Sequence, residues 1–154
     1  MEEKYTIKCN KEQMLTIAYA LDQYSRMICG QLSMNHLPSL QIALEQEEEY
    51  TDDYIKKSKM VDNKLAEVKK IIWNMTEGSH VIGYNEKANI SYDIYKSIMH
   101  HFEIIEEKEC IKNNKKYHCN VYSSPPFATS KQLLPKIETL TIRQQKLDKI
   151  NEKE

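Results

Sequence analysis

Arginine is almost missing from this chain: Arg26 and Arg143 are the only two in 154 residues, and lysine carries the remaining side-chain positive charge. Glycine (3) and proline (4) are equally scarce. Few turn-formers mean few tight turns, so long helices are expected. The three glycines, Gly30, Gly78 and Gly83, build no phosphate-cradling loop, and neither Gly-x-Ser-x-Gly nor His-Glu-x-x-His occurs. The four cysteines, Cys9, Cys29, Cys110 and Cys119, include no Cys-x-x-Cys pair. Such sparse use predicts free thiols in a reducing cytosol. No apolar run approaches the ~20 residues of a membrane span, and Met1–Lys4 leads into polar–apolar alternation. Neither a span nor an export leader is expected, and a cytoplasmic location is. The net charge of −1 and pI near 6.5 exclude a broad basic face, so no DNA or RNA partner is expected. An anionic ligand has to be held by a few local cations.

What is present reads as one domain over 1–142 with a charged tail over 143–154. Tyr5, Ile7 and Cys9 alternate with Thr6 and Lys8, which predicts a short N-terminal strand. Asn10 with Gln13 three residues on forms a capping box. Met14, Ile17, Ala18, Leu21, Ser25, Ile28 and Leu32 then mark a helix that fades before Pro38. A second helical region starts near Ser39, is expected to loosen through the acidic stretch Glu45–Asp53, and resumes with Tyr54, Val61, Leu65, Val68, Ile72 and Met75. Gly78 is its expected stop. A third helix is expected from Glu86 to Ile105, capped by Asn85. Cys110–Lys112 and Tyr117–Tyr122, joined by Asn113–Lys116, read as a β-hairpin, since asparagine tolerates the positive φ of such turns. Leu133–Ile142 adds a last strand. The expected fold is therefore α+β: a short N-terminal strand, two or three long antiparallel helices and a C-terminal β-hairpin.

Several residue sets invite a chemical reading. Asp22 and Arg26 stand one helical turn apart. The commoner use of that spacing is a surface ion pair; the sharper reading is a guanidinium aimed at a phosphate, with Tyr24 as a stacking surface nearby. Tyr92 and Tyr95, three apart on one helix, suit either a nucleobase site or a helix–helix core. His100 and His101 diverge by about 100° as helix neighbours and do not converge on one metal or one phosphate. His118 and Cys119 face opposite sides of an expected strand. Together with Cys110 they match no zinc spacing, so no metal or other cofactor is expected. Cys29 with a distant histidine is a nucleophile pair of a kind any chain this size offers, and no enzyme activity is expected.

The string Ala20-Leu21-Asp22-Gln23-Tyr24-Ser25-Arg26 with Gly30-Gln31 resembles a first-helix signature, A(L/C)xFY(S/A)RxxxGQ, of a group of small phage and prophage proteins. Ser91-Tyr92-Asp93-Ile94-Tyr95-Lys96-Ser97-Ile98-Met99-His100 resembles their AYDIYQVIRH, and Asn120–Ser130, with Pro126 and Ser130, is similar to their C-terminal segment. This group is identified with the first family of Thoeris anti-defence proteins. The resemblance implies a sponge that binds a cyclic ADP-ribose isomer or related cyclic nucleotide and sequesters it without cleavage, in the cytosol of the infected host. It also implies ligand contacts from Arg26, Tyr24, Gln31, Tyr92 and Tyr95. Met99 stands where the pattern has arginine, so the expectation is either a different choice of ligand or a lysine such as Lys96 in place of the missing cation. A thin helical body encloses little, which leads to the expectation of a homo-oligomer with shared walls. The alternative is a phage-encoded inhibitor that binds a host protein through the long charged helix Thr51–Met75.

Overall fold

The structure is a computed structural model that describes residues 5–45, 52–76 and 85–139. Four helices follow in order: α1 (Lys11–Ile28), α2 (Pro38–Glu45), α3 (Asp52–Trp73) and α4 (Glu86–Lys112), with a 3-10 turn at Met34–His36 between the first two. No strand occurs among the described residues. The expected α+β class is thereby corrected to an all-helical one.

α1 begins with the predicted capping box. Asn10 Oδ1 accepts from the Gln13 amide at 2.8 Å, and Gln13 Oε1 accepts from the Asn10 amide at 3.0 Å. Its end differs from the expectation. Gly30, at φ +74°, turns the chain one residue past the cap, the Gln31 amide donates to Arg26 O at 2.9 Å, and the Gly30 amide donates to Met27 O at 3.1 Å. This is a Schellman stop, and only glycine takes its left-handed position without strain. The side chains of Met75, Lys69 and Trp73, from α3 and just beyond it, pack against this turn. The Met34 amide, donating to Asp62 at 2.7 Å, ties the 3-10 turn to the same helix. α3 ends at Trp73 with Asn74 at φ +53°, before the expected stop at Gly78. Gly78 and Ser79–Tyr84 lie outside the described residues.

α1 and α4 pack together as the main helix pair. They run antiparallel: Lys11 sits over Phe102, while Arg26 acts electrostatically on Tyr92 and Tyr95. Ala18, Tyr95 and Ile98 form the buried core between them, flanked by Met14, Ile17, Leu21, Ile94, Met99 and Phe102.

The hairpin is corrected as follows. α4 does not stop at Ile105; Glu106–Glu109 are good helix formers, and the helix runs to Lys112. Asn114 takes φ +51°, Asn114 N–H donates to Ile111 O and Lys115 N–H to Cys110 O. The left-handed tolerance that suggested a hairpin turn is used instead for a second Schellman stop. Cys110–Lys112 is thus helix, and Tyr117–Tyr122 is irregular chain. Tyr5–Cys9 forms no strand among the described residues, and its Tyr5 and Ile7 are 85% and 73% exposed. The described part of the expected last strand, 133–139, contains Pro135 and forms no ladder either. Residues 140–142 and the tail boundary at 142/143 lie outside the described residues.

From Lys115 onward the chain forms a strap along α4. It runs from the level of Glu103 to that of Glu86, where the Lys131 amide donates to Glu86 at 2.8 Å. It then returns, with Ile137 against the core and Thr139 on His101.

Candidate functional site

The last turn of α1 holds Arg26 in a set pose. Its Nε donates to Asp22 Oδ2 at 2.7 Å and its Nη1 to Gln31 Oε1 at 3.1 Å. The local fold explains the spacing. Asp22 lies one turn back on the same face, and the Gly30 turn reverses the chain so that Gln31 returns beside Arg26. Two of the five guanidinium donors are thus committed. Burial alone lowers the Arg26 pKa, but the hydrogen bond and charge of Asp22 outweigh it and the pKa is raised. Asp22 is buried, and its Oδ1 has no hydrogen-bond partner among the described residues.

Across the helix seam stand Tyr92 and Tyr95, with ring centroids 6.0 Å apart. Tyr95 is buried, meets Tyr122 edge-on and shares a hydroxyl hydrogen bond with it. Tyr92 is 37% exposed. Burial raises both pKa values, with the Tyr122 hydrogen bond adding to that of Tyr95. Asp22 and Arg26 act on both hydroxyls.

Lys96 lies between two rings, its Nζ 4.8 Å from the Tyr92 centroid and 4.9 Å from that of Phe127. It also pairs with Asp93 Oδ1 at 3.2 Å and donates to Phe127 O at 2.8 Å. Asp93 is 2% exposed and takes the backbone N–H and hydroxyl of both Thr129 and Ser130, at 2.6 to 3.0 Å. Burial would raise its pKa, but these donors hold it far below the usual carboxylate range. Ten residues along α4, buried Glu103 accepts from the Tyr117 hydroxyl and the Asn120 side-chain amide. The strap is therefore docked on two buried carboxylates, Asp93 and Glu103, with exposed Glu86 taking the Lys131 amide, and side chains replace a ladder.

Of the residues singled out in the sequence, the fold gathers Arg26, Gln31, Tyr92, Tyr95 and Lys96 at one end of the α1–α4 seam. Tyr24 stands apart: two residues from both Asp22 and Arg26, it is turned about 200° round the helix and is 41% exposed. Asp93, Tyr122, Phe127 and Thr129 were not singled out. Asp93 lies inside the Tyr-Asp-Ile-Tyr string, and its role depends on a segment 36 residues away, which periodicity does not reveal.

The histidines stay outside this cluster. His100 Nδ1 donates to Tyr122 O at 2.6 Å, and His101 Nε2 meets Thr139 Oγ1 at 3.0 Å. Burial, then Lys108 and His100, lower the His101 pKa. No group of three or more His, Cys, Asp or Glu among the described residues is arranged to hold a metal ion. All four cysteines are thiols, and burial raises the pKa of Cys29, which keeps it protonated and weakly nucleophilic. An open concavity of about 560 Å³, lined by Asn63, Ala66, Glu67, Lys70, Asn74, Met75 and Thr76, flanks the end of α3. No helix among the described residues is long and apolar enough to cross a membrane. Compared with protein-family models, with curated proteins and with solved structures, the chain matches none.

Proposed function

We propose that the protein binds and sequesters a cyclic nucleotide immune signal of the cyclic ADP-ribose isomer type without cleaving it, and so blocks a host's anti-phage defence. One observation carries the reading. Arg26 is pre-oriented by Asp22 and Gln31 beside the half-exposed ring of Tyr92, and its remaining donors have no partner among the described residues. A planar guanidinium with spare paired donors matches phosphate oxygens in a way an ammonium does not. Lys96, its side chain 12% exposed and paired with Asp93, braces the Tyr92 ring beside it. The resemblance of the two strings that contain these residues to the anti-defence sponges supplies the ligand class.

Sequestration rather than turnover fits the protonation states. Burial raises the pKa values of Tyr92 and Tyr95, so both keep their hydroxyl protons beside a bound ligand. A sponge acts by mass action, and nanomolar holding requires about 12 kcal/mol. The site is open on one chain, so a second copy is proposed to complete its walls, in the host cytosol.

A second reading, inhibition of a host protein through α3, has its own support: Ile55, Met60, Val68, Ile71 and Ile72 are 41–82% exposed on that helix. One experiment separates the readings. The protein is incubated with cyclic ADP-ribose and its linkage isomers, cleared of unbound nucleotide and heated. Intact nucleotide released by heat supports the sponge, altered nucleotide an enzyme, and no retention the protein-binding role.

A further inference from the structure

Phe127 is 76% exposed yet fixed on both sides. Lys96 binds its carbonyl and lies under its ring. Two residues further on, Thr129 and Ser130 are locked into Asp93. The Tyr92 ring flanks the same ammonium from α4. A restrained aromatic ring with most of its surface in water offers a stacking platform to a planar base.

We propose that Phe127 is a ligand-binding residue of the site, presenting its exposed face to the nucleobase while Lys96, its side chain 12% exposed and paired with Asp93, braces the ring and leaves the phosphate to the spare donors of Arg26. The inference rests on the sequestration reading and extends it from the two helices to the strap. It also gives the two-carboxylate docking a purpose: Asp93 fixes the position of the stacking ring. Stacking tolerates any base, so linkage selectivity falls to the phosphate contacts.

The test uses three variants, Phe127→Ala, Phe127→Leu and Phe127→Trp, titrated calorimetrically with cyclic ADP-ribose and its linkage isomers. Both Phe127→Ala and Phe127→Leu are expected to bind roughly tenfold or more weakly, the loss typical of one stacked base, with unchanged melting temperature. Phe127→Trp is expected to keep the affinity. In a Trp73→Phe background its emission is expected to be quenched by the nucleotide. Wild-type affinity in Phe127→Leu overturns the inference alone, because leucine keeps bulk and loses the π-face. Wild-type protein that takes up no cyclic nucleotide overturns the sequestration reading and this inference together.

Discussion

Arg26 shows how a short spacing becomes a constructed group. Its pairing with Asp22 is legible from the sequence, because residues four apart on a helix share a face. The contribution of Gln31 is not legible in the same way. It depends on Gly30 taking a left-handed conformation, which brings the residue after it back under the guanidinium. Tyr24 is the converse case: adjacent in the motif, it is turned to another side of the helix. The buried position of Asp22 changes what substitution does. Arg26→Ala leaves a buried carboxylate without its cation, so it is expected to cost about 1–3 kcal/mol of stability as well as ligand affinity. Arg26→Lys keeps a positive charge near Asp22 but loses the planar fork. It is expected to weaken nucleotide binding by roughly 1.5–3 kcal/mol while moving the melting temperature by only a few degrees at most. Calorimetry and a thermal melt on the same preparation check both halves. Wild-type affinity in Arg26→Lys would remove the guanidinium from the site.

At the scale of elements, helix positions follow from apolar period and caps, and most were readable. The N-termini of α1 and α4 lie where Asn10 and Asn85 put them. The strands were not real, because alternation over five residues specifies an extended chain but not a partner. Asn113–Asn114 carried a true signal, tolerance of positive φ, that two structures can use. The strap was illegible because its order comes from long-range side-chain bonds to Asp93 and Glu103. Those bonds make a pH prediction. The folded pKa of Asp93 is depressed below its unfolded value near 3.9. The folded state therefore binds fewer protons, and the stabilisation is complete above about pH 4 and lost as pH falls below it. Strap docking, followed by tyrosine fluorescence or by proteolysis between Pro125 and Lys131, is expected to fail in acid before the helical signal does. Asp93→Asn is expected to lose the acid transition and to destabilise the strap at neutral pH by about 3 kcal/mol. An acid transition unchanged in that variant would assign it to other groups.

The whole molecule is a helix pair with a small second layer and a wrapped strap, and much apolar surface remains in water: Ile71, Leu133 and Val121 are 82%, 96% and 83% exposed. Together with an open ligand site they lead to the expectation that light scattering at micromolar concentration finds a species of at least twice the 18.2 kDa chain mass. A single 18.2 kDa species would leave the site without its second wall. The two carboxylates that hold the strap also act as a ruler. Asp93 and Glu103 are ten residues apart on one helix, about 15 Å along its axis. The nine residue-to-residue steps from Asn120 to Thr129 can reach about 30 Å when extended. The chain between the two carboxylates therefore has spare length, and the stretch between Ser123, held by Tyr117, and Phe127, held by Lys96, can gain or lose a residue without letting go of either carboxylate. Such a tether keeps its attachments at Ser123, Phe127 and Thr129 while the residues at 124–126 change, which is a physical route by which the strap tolerates a new loop without leaving the helix.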